Sequence, residues 1–380
     1  MIMKAKFIKR CVEFLVCAMA TGILIAGCGG GSSTSASVSS FTASVGAGDV
    51  LQFSVDTASL TYSFKVVETS YGAAAVASGI PAASAVEPTE SSSGTLTANA
   101  EGSYNISQSA DGFILGGEVL PIQNSMFVGH VIIDKIGGRS RRIPIFGVSN
   151  PITTIAGLAS TYNYQGFECA GRSGGNPHGN IACASHTGTI LIDSTGVFST
   201  CKDGNLTGST TCILSGGSTT SPTSTGSLVA TATSGVYDFK TSDGLHRGWL
   251  FAFTAGGQNV AVIDHDDIHT PSFGHSVAIS QAKLTTGQID GNYFVMNNMG
   301  ERHSMAISGV SFTDTGDNGH GTPASAVASG ALQYNSPWNG LVTYQFNNGG
   351  ASGVMDVATI GAFTYNSTTH PYIFGVGLKH

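Results

Sequence analysis

Apolar and polar residues alternate with a period of two along most of the chain. Leu51, Phe53 and Val55 alternate with polar positions, and Leu60, Tyr62, Phe64 and Val66 do so again beyond Asp56-Thr57-Ala58-Ser59. A period of two puts every second side chain on one face of a strand, and a short polar break between two such runs marks a hairpin. Ile190-Leu191-Ile192-Asp193 and Val197-Phe198-Ser199, split by Ser194-Thr195-Gly196, predict a second hairpin. Leu250-Phe251-Ala252-Phe253 turns at Gly256-Gly257 into Val260-Ala261-Val262-Ile263, and Val342, Tyr344 and Phe346 alternate before Asn347-Asn348-Gly349-Gly350. No long helical pattern follows residue 27.

The strand-rich segments also echo one another. Tyr162-Asn163-Tyr164 followed by Gly188 to Ser199 resembles Asn292-Tyr293-Phe294-Val295 followed by Ser304 to Phe312. A fainter copy starts at Tyr62 and runs through Gly94-Thr95-Leu96-Thr97 and Tyr104-Asn105-Ile106. Ile143-Pro144-Ile145-Phe146-Gly147-Val148 is matched by Tyr372-Ile373-Phe374-Gly375-Val376. Units of roughly 100 residues that repeat call for a repeated architecture. The expectation is an all-β protein of antiparallel meander strands, in two or three weak pseudo-repeats that form barrel- or sandwich-like domains. A small β-propeller is the alternative; both solutions protect strand edges. The boundaries expected are 45–152 for an N-terminal β domain, 153–285 for a middle repeat and 286–380 for a C-terminal repeat. Two Ser/Thr/Ala/Pro-rich stretches, 72–93 and 216–227, read as loops or insertions.

The N-terminus has another character. Lys4, Lys6, Lys9 and Arg10 precede an apolar run from Phe14 to Ile25, the arrangement of a secretory signal over residues 1–27. The run falls short of the roughly 18–20 residues that a membrane span needs. Ile25-Ala26-Gly27-Cys28 resembles the lipobox of bacterial lipoproteins, which implies cleavage before Cys28 and a lipid on its thiol. Gly29 in place of Asp implies, by the same resemblance, the outer membrane. Residues 28–44 open with a Gly/Ser run that reads as a flexible tether.

Charge then narrows the partners. The leader holds four basic residues and Glu13, so Lys+Arg falls from 16 to 12 and Asp+Glu from 23 to 22, a net charge of −10. Nucleic acid is excluded as a partner, because phosphate binding needs a basic face. The membrane is expected as a partner only through the lipid, with a glycan, small molecule or protein as ligand. Cys11 and Cys17 leave with the leader, and four cysteines remain in an oxidising compartment. Of three pairings, Cys169–Cys183 and Cys201–Cys212 are preferred because each closes a short Gly-rich loop. Their spacing lacks the tight ligand pairs of a zinc site.

Two stretches carry candidate chemistry. Asp264-His265-Asp266-Asp267-Ile268-His269, with His275 beyond, gathers carboxylates and imidazoles that could hold a divalent cation, with Asp264, His265, Asp266 and His269 as ligands. The stretch lacks the Gly and terminal Glu of an EF-hand loop. Asp317-Asn318-Gly319-His320-Gly321-Thr322-Pro323 resembles the histidine motif of subtilisin-like serine proteases, with Val262-Ile263-Asp264 and His303-Ser304-Met305-Ala306 as partners for a triad. The chain order Asp264, Ser304, His320 departs from that family's Asp, His, Ser, and no catalytic residue is assigned. Trp249 and Trp338 are core residues or platforms for a glycan.

The lipobox, the Gly188 to Phe198 segment and the C-terminal Phe374-Gly375-Val376-Gly377-Leu378 resemble an uncharacterised family of β-proteobacterial lipoproteins, domain of unknown function 2957. The resemblance implies no catalytic residues. Sequence alone therefore points to a lipid-anchored envelope protein with a ligand-binding or structural role. An envelope hydrolase or metal-dependent enzyme using the Asp264–His275 cluster or His320 is the alternative.

Overall fold

A computed structural model describes residues 38–46, 48–70, 91–99, 102–122, 125–136, 139–170, 183–267, 272–297, 301–316, 327–347, 349, 351–370 and 373–379. The alternating segments pair into three closed, eight-stranded antiparallel barrels. The first barrel is β1 (Val38–Ser44), β2 (Asp49–Asp56), β3 (Thr61–Thr69), β4 (Ser91–Ala98), β5 (Tyr104–Ile106), β6 (Ile114–Ile122), β7 (Met126–Ile136) and β8 (Arg139–Val148). The middle barrel is β9 (Ser160–Ala170), β10 (Cys183–Ile192), β11 (Val197–Lys202), β15 (Ser224–Ala230), β16 (Tyr237–Thr241), β17 (His246–Ala255), β18 (Gln258–Asp267) and β19 (Ser272–Ser280). Between β11 and β15 lies a separate small sheet, β12 (Gly204–Thr207), β13 (Thr211–Leu214) and β14 (Thr219–Thr220). The third barrel is β20 (Gly291–Asn297), β21 (Arg302–Ser308), β22 (Ser311–Gly316), β23 (Ala328–Tyr334), β24 (Leu341–Phe346), β25 (Ser352–Ala358), β26 (Ala362–Ser367) and β27 (Phe374–Lys379).

Each barrel is an up-and-down meander closed by its first strand on its last, as in Thr42 against Val148 and Tyr293 against Lys379. Closure leaves no unpaired edge, which a propeller blade would expose. Turn chemistry sets the registers. Asp56 Oδ1 accepts from the amides of Ala58 and Ser59, so the β2–β3 turn is held by its own aspartate. Asp193 Oδ1 does the same for Thr195 and Val197 between β10 and β11. The stretch 216–227, read as a loop, contributes β14 and the first residues of β15 to two different sheets.

The pseudo-repeat has a physical signature. Between the third and fourth strands of every barrel, an inward aromatic ring lies across a glycine directly opposite it: Tyr62 on Gly94, Phe198 on Gly226, Phe312 on Gly330. The missing side chain is what admits the ring. A Cβ on Gly330 would stand 2.3 Å from the Phe312 ring and 2.4 Å from the Gln345 carbonyl oxygen. The carbonyl belongs to the sheet and cannot yield. Gly330→Ala is therefore expected to lower stability by about 1–3 kcal/mol. Gly216→Ala, which meets nothing within 4 Å, should stay within about 0.5 kcal/mol of wild type in the same urea titration.

The barrel interiors are largely filled. Phe41, Phe53, Phe127 and Ile145 pack in the first, and Tyr293, Phe312, Val342 and Phe363 in the third. The middle barrel is filled at one end only, by Leu158, Tyr162, Ile192 and Tyr237. A single 3-10 turn, Ile155–Leu158, closes that end, and Tyr162 Oη donates to the Leu158 carbonyl.

The barrels meet head to tail. Each offers its first strand to late strands of another, the sixth to the eighth. Ser44 on β1 meets Asp264 on β18 and His275 on β19; Met296 on β20 meets His130 on β7; Gln165 on β9 accepts from Thr364 on β26 at 2.9 Å. The middle barrel thus grips the first, the first grips the third, and the third grips the middle. Such contacts close into a ring when the rotation permits. Seventh- and eighth-strand residues Val128, Phe146, Val262, Val277, Phe374 and Val376 share one apolar cluster between the barrels.

Candidate functional site

Strand alternation decides where the predicted cluster goes. The strand does not stop at Ile263; β18 runs on to Asp267, so adjacent residues face opposite sides of the barrel wall. Ile263 and Ala261 pack inside the barrel, while Val262 and Val260 join the cluster between barrels. His265 accordingly faces the interior and Asp264 faces outward. The two do not share a coordination sphere. Asp266 lies on β18, its side chain outside the described residues, as is all of His269. Among the described residues no three His, Cys, Asp or Glu come close enough to hold a metal.

Outside the wall, Asp264 pairs with His275 across β18 and β19, and both are fully buried against the first barrel. Ser44 Oγ donates to Asp264 Oδ2 at 2.5 Å and lies 3.1 Å from His275 Nδ1. The Gly48 amide donates to Asp264 Oδ1, and His275 Nε2 meets the Pro144 carbonyl at 2.9 Å. Serine, histidine and aspartate are present, yet the order is not that of a nucleophilic triad. There the imidazole stands between hydroxyl and carboxylate. Here the hydroxyl stands between the other two, and the second imidazole nitrogen is bound to backbone. Burial pushes the His275 imidazole down from 6.5 to about 3. Trp249 adds to the same contact by donating Nε1 to the Gly48 carbonyl. This is a clasp that fastens the middle barrel to the first.

The other sequence candidates are dispersed. Ser304 is an exposed residue of β21 in the third barrel, so it and Asp264 belong to different barrels, and His320 lies outside the described residues. Trp338 donates Nε1 to Asn163 Oδ1 at 2.8 Å, between the third and middle barrels. Cys201 and Cys212 form a disulfide, with Cα atoms 5.5 Å apart, tying the inserted sheet to β11. The register sets Cys169 directly opposite Cys183 across β9 and β10; their side chains are outside the described residues.

Inside the wall, at the end away from the 3-10 turn, the middle barrel opens into a cavity of about 360 Å³. Tyr164, Ile190, Phe239 and Ile263 form its apolar floor, with Glu168, Lys202 and Arg247 among the polar groups around it. At this end β9, β11, β16 and β18 finish and β10, β15, β17 and β19 begin. Strand ends far apart in sequence therefore meet here.

Its buried polar centre is a histidine–serine–histidine relay. His265 Nε2 lies 2.6 Å from Ser276 Oγ, and Ser276 Oγ lies 3.5 Å from His186 Nε2. Gly166 makes the room, since a Cβ there would fall 2.2 Å from Ser276 Oγ and 2.5 Å from His186 Nε2. Burial lowers His186 from 6.5 to about 3, with His265 and Lys202 adding to the shift. Burial also lowers His265, against a rise from the Glu168 carboxylate. Both rings are neutral near pH 7, each with one donor and one acceptor nitrogen. Among the described residues, His186 Nδ1 has no hydrogen-bond partner. Arg247 is engaged, its Nε donating to Thr241 Oγ1 and its guanidinium paired with Asp243.

Of the cavity's residues, sequence reading had singled out only His265. A scan against models of known protein families finds no match, and a search of curated proteins finds none either.

Proposed function

We propose that the protein is a lipid-anchored envelope protein whose middle barrel binds a small molecule in its open mouth. The observation that carries this is His186 Nδ1, a buried ring nitrogen with no partner among the described residues, in the wall of a cavity with an apolar floor. A buried polar atom without a partner costs about 1–3 kcal/mol, and a ligand group that meets it recovers that cost. The volume of about 360 Å³ lies at the small end of the roughly 300–1,000 Å³ range of ligand pockets. Eight-stranded barrels are just wide enough to hold one small ligand. The anchor rests on the lipobox-like Ile25-Ala26-Gly27-Cys28, with the Gly/Ser run as tether. Its check is palmitate labelling, which Cys28→Ser should abolish.

Binding is tested by saturation-transfer NMR with a library of small polar metabolites. Wild-type protein should give signals that Ser224→Trp, which plugs the mouth, removes while the far-UV spectrum stays unchanged. Signals that survive the plug, or no signals with either protein, would refute the reading.

A second reading is favoured by one distance. His265 Nε2 at 2.6 Å from Ser276 Oγ is a base beside a hydroxyl, the first requirement of an activated nucleophile. A fluorophosphonate probe that labels wild type but not Ser276→Ala would establish hydrolase chemistry; absence of labelling would remove it.

A further inference from the structure

The walls of this cavity carry two opposite charges that no described residue pairs. Among the described residues, Glu168, half-buried on β9, makes no ion pair or side-chain hydrogen bond, and neither does the ammonium of Lys202, at the exposed end of β11. Both side chains line the same space, yet they do not bridge each other. Arg247, the other cation, is committed to Asp243 and Thr241. An acidic chain with few charges has thus placed a carboxylate and an ammonium, unpaired among the described residues, in one small mouth, on the two strands that flank β10. Below them lie only apolar side chains, hydroxyls and two neutral imidazoles.

The charges fix the ligand's head. A simple anion would meet Lys202 but face Glu168, and a simple cation the reverse. A molecule carrying both signs satisfies both. Charged hydrogen bonds of this kind are about twice as strong as neutral ones. The floor fixes the rest. Ile190, Phe239 and Ile263 offer an apolar bed, with Tyr164 and His186 edge-on to each other beside it, ring centroids 5.5 Å apart.

We propose that the middle barrel binds an amino-acid zwitterion, its carboxylate at Lys202, its ammonium at Glu168, and an apolar or aromatic side chain on Ile190, Phe239 and Ile263. The inference rests on the small-molecule reading given above and names the class of ligand. Specificity then comes mostly from the pair of charges. A site built around a buried or half-buried charge rejects an analogue that leaves it unmatched.

The test is calorimetric titration of the full chain in detergent with four probes of one shape. These are L-phenylalanine, phenethylamine, 3-phenylpropanoate and N-acetylphenethylamine: zwitterion, cation, anion and neutral. Phenylalanine is expected to bind at least ten-fold tighter than each of the others. Lys202→Met should erase its advantage over phenethylamine, and Glu168→Gln its advantage over 3-phenylpropanoate. Tighter or equal binding of a singly charged or neutral probe overturns the zwitterion and leaves the cavity reading standing. Failure of all four to bind overturns the zwitterion as well, and the plugged variant then decides the cavity reading separately.

Discussion

Arg302→Ala is expected to destabilise the protein by about 3–5 kcal/mol, far more than an exposed arginine usually contributes. Arg302 belongs to β21 of the third barrel, and its guanidinium is paired with Glu118 on β6 of the first. Glu118 is only 1% exposed. Ser103 Oγ donates to its Oε1 at 2.6 Å and Asn99 Nδ2 at 3.2 Å, so the carboxylate is held in place from its own barrel. Removing the arginine would leave that charge buried with neutral donors alone. The cost comes from the stranded carboxylate rather than from the lost attraction. Glu118→Gln combined with Arg302→Ala should therefore recover more than half of the loss, as read from urea midpoints. If the double variant is as unstable as Arg302→Ala, the buried charge is not the cause.

The fold was open to sequence reading because barrels are written in local terms. Alternation, turn aspartates and paired glycines are all visible within about thirty residues. Tyr62 and Gly94, Phe198 and Gly226, Phe312 and Gly330 recur because an inward ring needs a gap opposite it, and that need repeats with the barrel. The contacts that join the barrels were not open to it. Ser44 meets Asp264 across 220 residues, and nothing near either position names the other. The head-to-tail ring follows from which outer faces are apolar, and a strand's two faces look alike until one knows which is inside.

The candidate site shows the same division. Asp264 and His265 look like neighbours on paper, and the continuation of β18 separates them through the wall. The cavity residues Glu168, His186, Lys202, Arg247 and His265 are scattered over about a hundred residues. One signal could have assembled them. In an up-and-down barrel, the loops after the first, third, fifth and seventh strands share one end. Each of these five residues lies within a few positions of such a loop, so a confident meander would have put them together before any side chain was placed. What no pattern shows is the unpartnered His186 nitrogen. That depends on Ser276, Gly166 and the packing beneath them.

Acid should destabilise the protein steeply, beginning near pH 6.5. His186 and His275 are each buried, and burial holds each at about 3 in the folded state against an ordinary 6.5. The folded chain keeps them neutral while the unfolded chain takes up protons below 6.5. Their stabilisation is complete above pH 6.5 and declines as pH falls from there toward 3. At about 1.4 kcal/mol per pH unit for each group, the two together remove about 4 kcal/mol by pH 5. His265, also lowered, adds in the same sense. Asp356, buried between the third and middle barrels with its carboxyl pushed well above 3.8, works the other way. It favours its protonated form and returns stability as pH falls toward 3.8. The histidines outnumber it, so the net slope follows them. His186 stands inside the middle barrel's mouth and His275 in the clasp outside, so acid strikes the candidate site and its mounting together. Urea midpoints at pH 7.5, 6.0 and 5.0 should fall progressively for wild type. The double variant His186→Gln/His275→Gln, less stable at pH 7.5, should lose much less over the same interval. An unchanged wild-type midpoint across these three values would show that the two imidazoles are not kept neutral by the fold.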